Sequence, residues 1–291
     1  MPELPEVETV ARGVHERVRG DRIVEAWFSR LAEPFKTSAA RQAKGLAGRV
    51  FLAVHRTGKH IVCELGPSGG PARSTARQPD ALQSDAHNSS AQWIVHLGMT
   101  GRLLVTTPDA AVATHTHARL TLNSGRELRF VDPRRFGRLE FRDLDRSKSF
   151  QAPGADPLDI GAGEFAALFR SRKLAIKAAL LNQTLLAGVG NIYADESLFH
   201  AGIRPRRAAG RLTRAELERL RQALRQVLDH AIRLGGSSVS DYVDANGVRG
   251  FFQLEHCVYS RENQPCRQCG TLIRKIVVAG RGTHYCSTCQ R

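Results

Sequence analysis

The apolar positions change period along the chain. Between residues 6 and 19, Val7, Val10, Ala11, Val14 and Val18 recur at helical spacing, and Pro5 suits a first helical turn. From Asp21 to about Arg142 the period falls to two. That alternation predicts strands at Ile23–Ser29, Val50–His55, His60–Leu65, Trp93–His96, Arg102–Thr106, Ala118–Leu122, Glu127–Val131 and Arg138–Phe141. Asn123-Ser124-Gly125 reads as a hairpin turn between two of them. Short strands with few helices predict an antiparallel sandwich. Further on the period returns to helical, at Glu164–Arg170, Leu174–Asn182, Ile192–Ala201 and Arg214–Leu234. The last is the best defined: Thr213 and Glu216 form a capping box, Leu217, Leu220, Leu224, Val227, Leu228 and Ala231 make its stripe, and Gly235 suits its stop. From about Val248 the tail is β-like.

Two stretches interrupt these periods. Residues 66–91 are rich in Gly, Pro, Ser and Ala and lack aromatics, which predicts a disordered insertion between two strands. Pro153, Gly154 and Pro157 break the pattern again. The expected organisation is a sandwich domain over 1–145, a linker over 146–158, a helical domain over 159–247 and a terminal module over 248–291. The fold class expected is α+β.

Charge changes the picture. Lys+Arg of 43 against Asp+Glu of 28 gives a net charge of +15. Arg204 to Arg233 holds nine Arg and three acids, and Cys257 to the end holds six Lys/Arg against Glu262. Such an excess fits a polyanionic partner, although a generally basic surface would give the same total. No apolar run approaches the ~18 residues of a membrane helix. The acidic N-terminus is unlike a signal peptide, so a cytoplasmic protein is expected.

Cys266-x2-Cys269-x16-Cys286-x2-Cys289 carries the strongest local chemistry. Two such knuckles let four thiolates converge on one Zn²⁺ with no open position, so the metal is structural. Disulfides fit a cytoplasmic chain poorly, and the duplication fits a redox pair poorly. The ion should hold a hairpin with Ala279-Gly280-Arg281-Gly282-Thr283 as its tip. Cys63 and Cys257 stand alone and read as buried apolar residues.

The chain begins Met-Pro-Glu-Leu-Pro-Glu-Val-Glu. Acids there complement a helix dipole, which suffices to explain Glu3, Glu6 and Glu8. Yet removal of Met1 would expose the secondary amine of Pro2, titrating near ~8, which can attack a sugar carbon and form an iminium. Glu3 sits beside that amine and could move protons. Gly188 and Gly190 precede a helix start at Asn191, which is either an ordinary corner between helices or a set of N–H groups aimed at a phosphate. His96-Leu97-Gly98-Met99-Thr100-Gly101 and Asp132-Pro133-Arg134-Arg135-Phe136-Gly137 are turns by composition. Their Met, Arg and Phe could also wedge into a base stack.

Together PELPEVET, HLGMTGRL, DPRRFG, AIK, GVGNIYADESLFHAGI and GRGTHYCSTCQ closely resemble the Fpg/Nei family of DNA-repair glycosylases, over nearly the whole chain apart from 66–91. The PELPEVET start is similar to the glycosylase branch rather than the Nei branch. The resemblance implies a helix-two-turn-helix domain ending in the zinc hairpin, a monomer acting on duplex DNA with oxidised bases or abasic sites in the bacterial nucleoid, and DNA lying between the two domains. It implies attack by Pro2 on C1′, loss of an oxidised purine, and β,δ-elimination of the strand. It further implies Glu3 as the acid/base for the ring oxygen, Glu6 as a supporting carboxylate, and Lys59 and Arg281 at the reacting nucleotide's phosphates. Met99, Arg134 and Phe136 match the trio that fills the space left by a flipped base. Lys177 and Asn191, with Arg281, match phosphate contacts. Ser240 stands where some relatives carry a lysine, in or near the loop over the flipped base, which unsettles lesion preference.

Two rivals follow. A Nei-type enzyme would act on oxidised pyrimidines instead. A catalytically dead zinc protein would only sense lesions, and Pro2, Glu3 and Glu6 argue against it.

Overall fold

The computed structural model describes residues 1–30, 35–68, 89–238 and 242–291. Within them the chain divides into two units: Met1–Pro2 with Glu6–Gln151 and Ser238–Gly250, and Glu3–Pro5 with Ala152–Ser237 and Phe251–Arg291.

The first unit is an antiparallel sandwich carrying a leading helix, α1 (Leu4–Val18). Its strands are β1 (Ile23–Phe28), β2 (Phe51–Thr57), β3 (His60–Leu65), β4 (Ala91–His96), β5 (Arg102–Thr106), β6 (Thr116–Leu122), β7 (Glu127–Val131) and β8 (Arg138–Asp143). They pair as two four-stranded sheets, β1-β6-β7-β5 and β2-β3-β4-β8. Their apolar faces close one core with the α1 stripe of Val7, Val10, Ala11, Val14 and Val18. Each fully buried valine or leucine contributes ~1.5–3 kcal/mol, so this face fixes where α1 lies.

The sequence missed α2 (Ala39–Leu46). It is short, and Gly45 lowers its helix propensity. The reason for that glycine is packing: a Cβ on Gly45 would overlap the Phe141 ring. Gln42 in the same helix is fully buried and accepts from Trp93 Nε1 at 3.0 Å.

The edges of the predicted insertion are ordered. Gly66 N–H donates to Val50 O, Ser90 N–H donates to Leu65 O, and Ala91 opens β4. The disorder expected at the centre of that stretch falls on residues 69–88, which lie outside the described residues. Residues 238–250, assigned from sequence mostly to the helical part, belong to the first unit. Tyr242 and Ala245 are buried in its core, and Ala245 O accepts from Val105 N–H.

The second unit holds α3 (Ala162–Phe169), α4 (Ile176–Leu181), α5 (Asn191–His200), α6 (Arg214–Arg233) and the hairpin β9 (Arg274–Val278)–β10 (Arg281–Tyr285). The stripe and capping box of α6 form as predicted. Glu216 also receives two hydrogen bonds from Arg207, at 2.6 and 3.1 Å. Gly235 has φ +73°, and Gly236 N–H reaches back to Ala231 O to close the helix.

The hairpin differs from expectation. Its turn is only Ala279-Gly280, both at positive φ, while Arg281, Gly282 and Thr283 lie in β10. Positive φ at two central residues gives a tight turn that matches strand twist, which draws Arg281 out of the tip and into the ladder.

Candidate functional site

Met1 is half exposed and acylates the Pro2 nitrogen, so no free secondary amine exists until Met1 leaves. Pro2 itself is buried in the first unit. Glu3 belongs to the second unit, where Leu4 N–H binds Gly188 O at 3.0 Å. Glu3 Oε1 accepts from Ile192 N–H at 3.2 Å, and Oε2 accepts from Tyr193 N–H at 3.5 Å. The start of α5 therefore does bind an anion, but in this chain the anion is its own carboxylate rather than a phosphate. The helix dipole favours that charge. A Cβ on Gly190 would overlap the Glu3 carboxylate, which explains the glycine. Glu6 is buried in the first unit, and its carbonyl accepts from the Tyr242 hydroxyl at 3.2 Å. Burial first, then the Glu6 charge, raises that phenol above its ordinary range.

The first unit brings Met99, Arg134 and Phe136 out on two neighbouring turns. Met99 is 41% and Phe136 48% exposed, and the Arg134 guanidinium lies 4.8 Å from the Phe136 ring centre. Buried Asp132 joins the turns: it accepts from the Thr100 hydroxyl at 2.5 Å and from Gly137 N–H at 2.8 Å. Thr100 in turn accepts from Arg134 N–H at 3.4 Å. Gly98, at φ +67°, lies so close to Phe136 and Gly137 that a Cβ there would overlap their backbone.

Lys59 occupies the β2–β3 turn, half-buried, after Gly58 at φ +62°. His60 and His96 pair across β3 and β4 beside it. Burial, then the Lys36 charge, holds His60 near about 4. Burial, then His60 and Lys59, does the same to His96. Both rings stay neutral at physiological pH and add no charge near Lys59.

In the second unit Lys177 is held by partners within the protein. It is fully buried, and its ammonium is spent on Asp195 Oδ1 at 2.7 Å, Gly282 O at 3.0 Å and Thr283 Oγ1 at 2.8 Å. An ammonium has three donors, so none remains for a phosphate. Burial lowers its pKa, with Asp195 pulling the other way. Asp195 Oδ2 accepts from His284 N–H, and Asn191 Nδ2 also donates to Gly282 O. This network ties α4 and α5 to β10 and sets the strand from which Arg281 projects into solvent.

Cys266, Cys269, Cys286 and Cys289 come together at the base of the hairpin. Their Sγ atoms lie 3.9 Å apart for Cys266–Cys289 and 3.4 Å for Cys269–Cys286, bracketing the about 3.8 Å that a tetrahedral Zn²⁺ with ~2.3 Å bonds requires. Gln268 N–H points at Cys266 Sγ and Cys289 N–H at Cys286 Sγ, which favours the thiolates. The group fits one zinc ion, held by four sulfurs.

Sequence reasoning missed Asp132, Thr100 and Asp195. Asp132 and Thr100 sit inside quoted motifs but act on each other across 32 residues. Asp195 lies in a helix where Asp195, Glu196 and Ser197 are all buried, so no amphipathic pattern marked it. Ser240 lies outside the described residues.

Three family models match this chain: the formamidopyrimidine-DNA glycosylase N-terminal domain over residues 1–139, its H2TH domain over 153–243, and the zinc finger found in FPG and IleRS over 263–291. The formamidopyrimidine-DNA glycosylase of Solibacter usitatus is 42% identical over 291 residues, covering all of both chains. That of Parasynechococcus marenigrum is 42% identical over 299 residues, again covering both. Among solved structures, a Lactococcus lactis FPG variant in complex with DNA containing Fapy-dG aligns with TM-score 0.84 at 32% identity, covering both chains fully. The Lactococcus lactis Fpg with abasic-site DNA aligns at 0.83 and 32%, covering 99% of each.

Proposed function

The chain belongs to the formamidopyrimidine-DNA glycosylase family, and from that premise we infer that it is a base-excision glycosylase that also cuts the strand. Its substrate class is oxidised purine, 8-oxoguanine and formamidopyrimidines, in duplex DNA. The observation that carries the reading is the Glu3 carboxylate, one residue from Pro2 and held by two backbone N–H groups at the start of α5. A fixed carboxylate next in sequence to a latent secondary amine is what iminium chemistry on a sugar needs.

After loss of Met1, the Pro2 nitrogen attacks C1′. The C1′–base bond breaks with its electron pair going to the base, which takes a proton from water, while the Glu3 carboxylate takes the proton that the Pro2 nitrogen sheds. Glu3 gives a proton to the ring oxygen as the sugar opens, leaving an iminium between C1′ and Pro2. The iminium acidifies C2′, so the 3′ phosphate and then the 5′ phosphate are eliminated. Glu6 supports the Glu3 end of the helix. Lys59 and Arg281 bind phosphates flanking the lesion, and Asn191 contacts the backbone. Met99, Arg134 and Phe136 fill the vacated stack, with Arg134 reading the orphaned cytosine. Lys177 acts inside the protein, positioning β10. The zinc ion holds the hairpin.

Borohydride trapping on duplex DNA containing 8-oxoguanine tests the mechanism. The Met1-processed protein should form a covalent adduct, and protein retaining Met1 should form none. Equal trapping by both removes Pro2 as nucleophile. Parallel duplexes with thymine glycol distinguish the Nei-type preference.

A further inference from the structure

A second group of metal-binding side chains lies outside the zinc knuckles. Glu196 and His200 stand four residues apart on α5, so both project from one helix face, and Cys257 approaches from the segment after Phe252–Leu254. Their ligand atoms all lie within 4.8 Å of one another. Cys257 Sγ is 3.8 Å from His200 Nε2. In a tetrahedral zinc site, sulfur and nitrogen ligands sit about 3.6 Å apart, so a small ring rotation closes the geometry.

The third ligand is already fixed. Glu196 is buried, and its Oε1 accepts from Val258 N–H at 3.0 Å and Tyr259 N–H at 2.8 Å, while Oε2 accepts from Cys257 N–H at 2.8 Å. A carboxylate oxygen has two acceptor positions, so Oε1 is filled and Oε2 retains one. That remaining position belongs to the oxygen bonded to the Cys257 backbone. His200 is exposed, which leaves an open side for water as a fourth ligand. A thiol, an imidazole and a carboxylate, one of them buried and pre-oriented, form a donor set for a borderline or soft divalent cation.

We propose that Glu196, His200 and Cys257 form a second, solvent-accessible site for a zinc-group divalent cation, distinct from the four-cysteine ion. An ion there would staple α5 to the segment leading into the zinc hairpin. Unlike the four-sulfur site it keeps an open position, so it would exchange readily.

The test is Co²⁺ titration of the zinc-loaded full chain, followed by its sulfur-to-cobalt charge-transfer absorption, with metal content measured after gel filtration. Wild type should take up a second equivalent with a one-thiolate spectrum, while zinc content stays at one. Cys257→Ser and His200→Ala should each weaken that uptake at least tenfold. Both variants should keep the zinc equivalent and an unchanged melting temperature, which excludes simple misfolding. A wild-type stoichiometry of one overturns the proposal, as does a second equivalent that persists in both variants.

Discussion

The Lys177 ammonium lies 2.7 Å from the Asp195 carboxylate, and neither side chain reaches solvent. Breaking one side of such a pair leaves an uncompensated buried charge, costing ~3–5 kcal/mol. Lys177→Met alone should therefore lower urea stability by about that amount. Lys177→Met with Asp195→Leu should recover much of it. Equal losses in the single and double variants would remove the pair as the cause.

Gly190 lies against the carboxylate of Glu3, with no room for a methyl group. Gly190→Ala should push Glu3 off the Ile192 and Tyr193 N–H groups and reduce borohydride trapping at least tenfold, a factor that corresponds to about 1.4 kcal/mol. Zinc content should not change. Full trapping in a folded Gly190→Ala protein would mean that the position of Glu3 is unimportant.

Thr100 holds two turns together through Asp132 and Arg134 N–H. Thr100→Val keeps the shape but leaves Asp132 short of a donor, at a cost of ~1–3 kcal/mol in unfolding free energy. With Arg134 less fixed, discrimination between cytosine and adenine opposite the lesion should fall. Duplexes differing only at that base measure it, and unaltered discrimination would detach Thr100 from base reading.

The Arg207 hydrogen bonds, ahead of the Thr213 cap, hold the Glu216 carboxyl near about 2, below its ordinary value of 4.5. A depressed carboxyl stabilises the fold above its unfolded pKa and loses that contribution as pH falls through its folded pKa. The stability gap between wild type and Glu216→Gln should thus be widest above about pH 5 and shrink toward pH 2. Chemical denaturation at stepped pH reads it, and a gap independent of pH would assign the effect to the cap's neutral hydrogen bonds.

The legible parts of this protein were those whose cause is local. The α6 stripe and Thr213–Glu216 box repeat within one or two turns, and the cysteine knuckles each span four residues. The other parts depend on distant partners. Gly188–Gly190 left a plain corner and a phosphate site both open because nothing in its neighbourhood showed Glu3 coming to fill it. Lys177 carries a phosphate-binding residue type, yet Asp195 and Thr283 consume it. Arg281 was placed at a tip because a glycine-rich run shows flexibility, not which residues adopt positive φ. Helix α2 stayed hidden because a glycine weakens its pattern and its reason is a ring in β8.

Glu3 and its N–H partners at Ile192 and Tyr193 stand 189 and 190 positions apart in the chain. Closing so long a loop is slow, and nothing local rewards it early. A fragment beginning at residue 152 would present the start of α5 without its carboxylate. The part of the second unit from Ala152 onward would therefore lack that anion on its own. The Glu3 carboxylate is thus a contact secured late in folding.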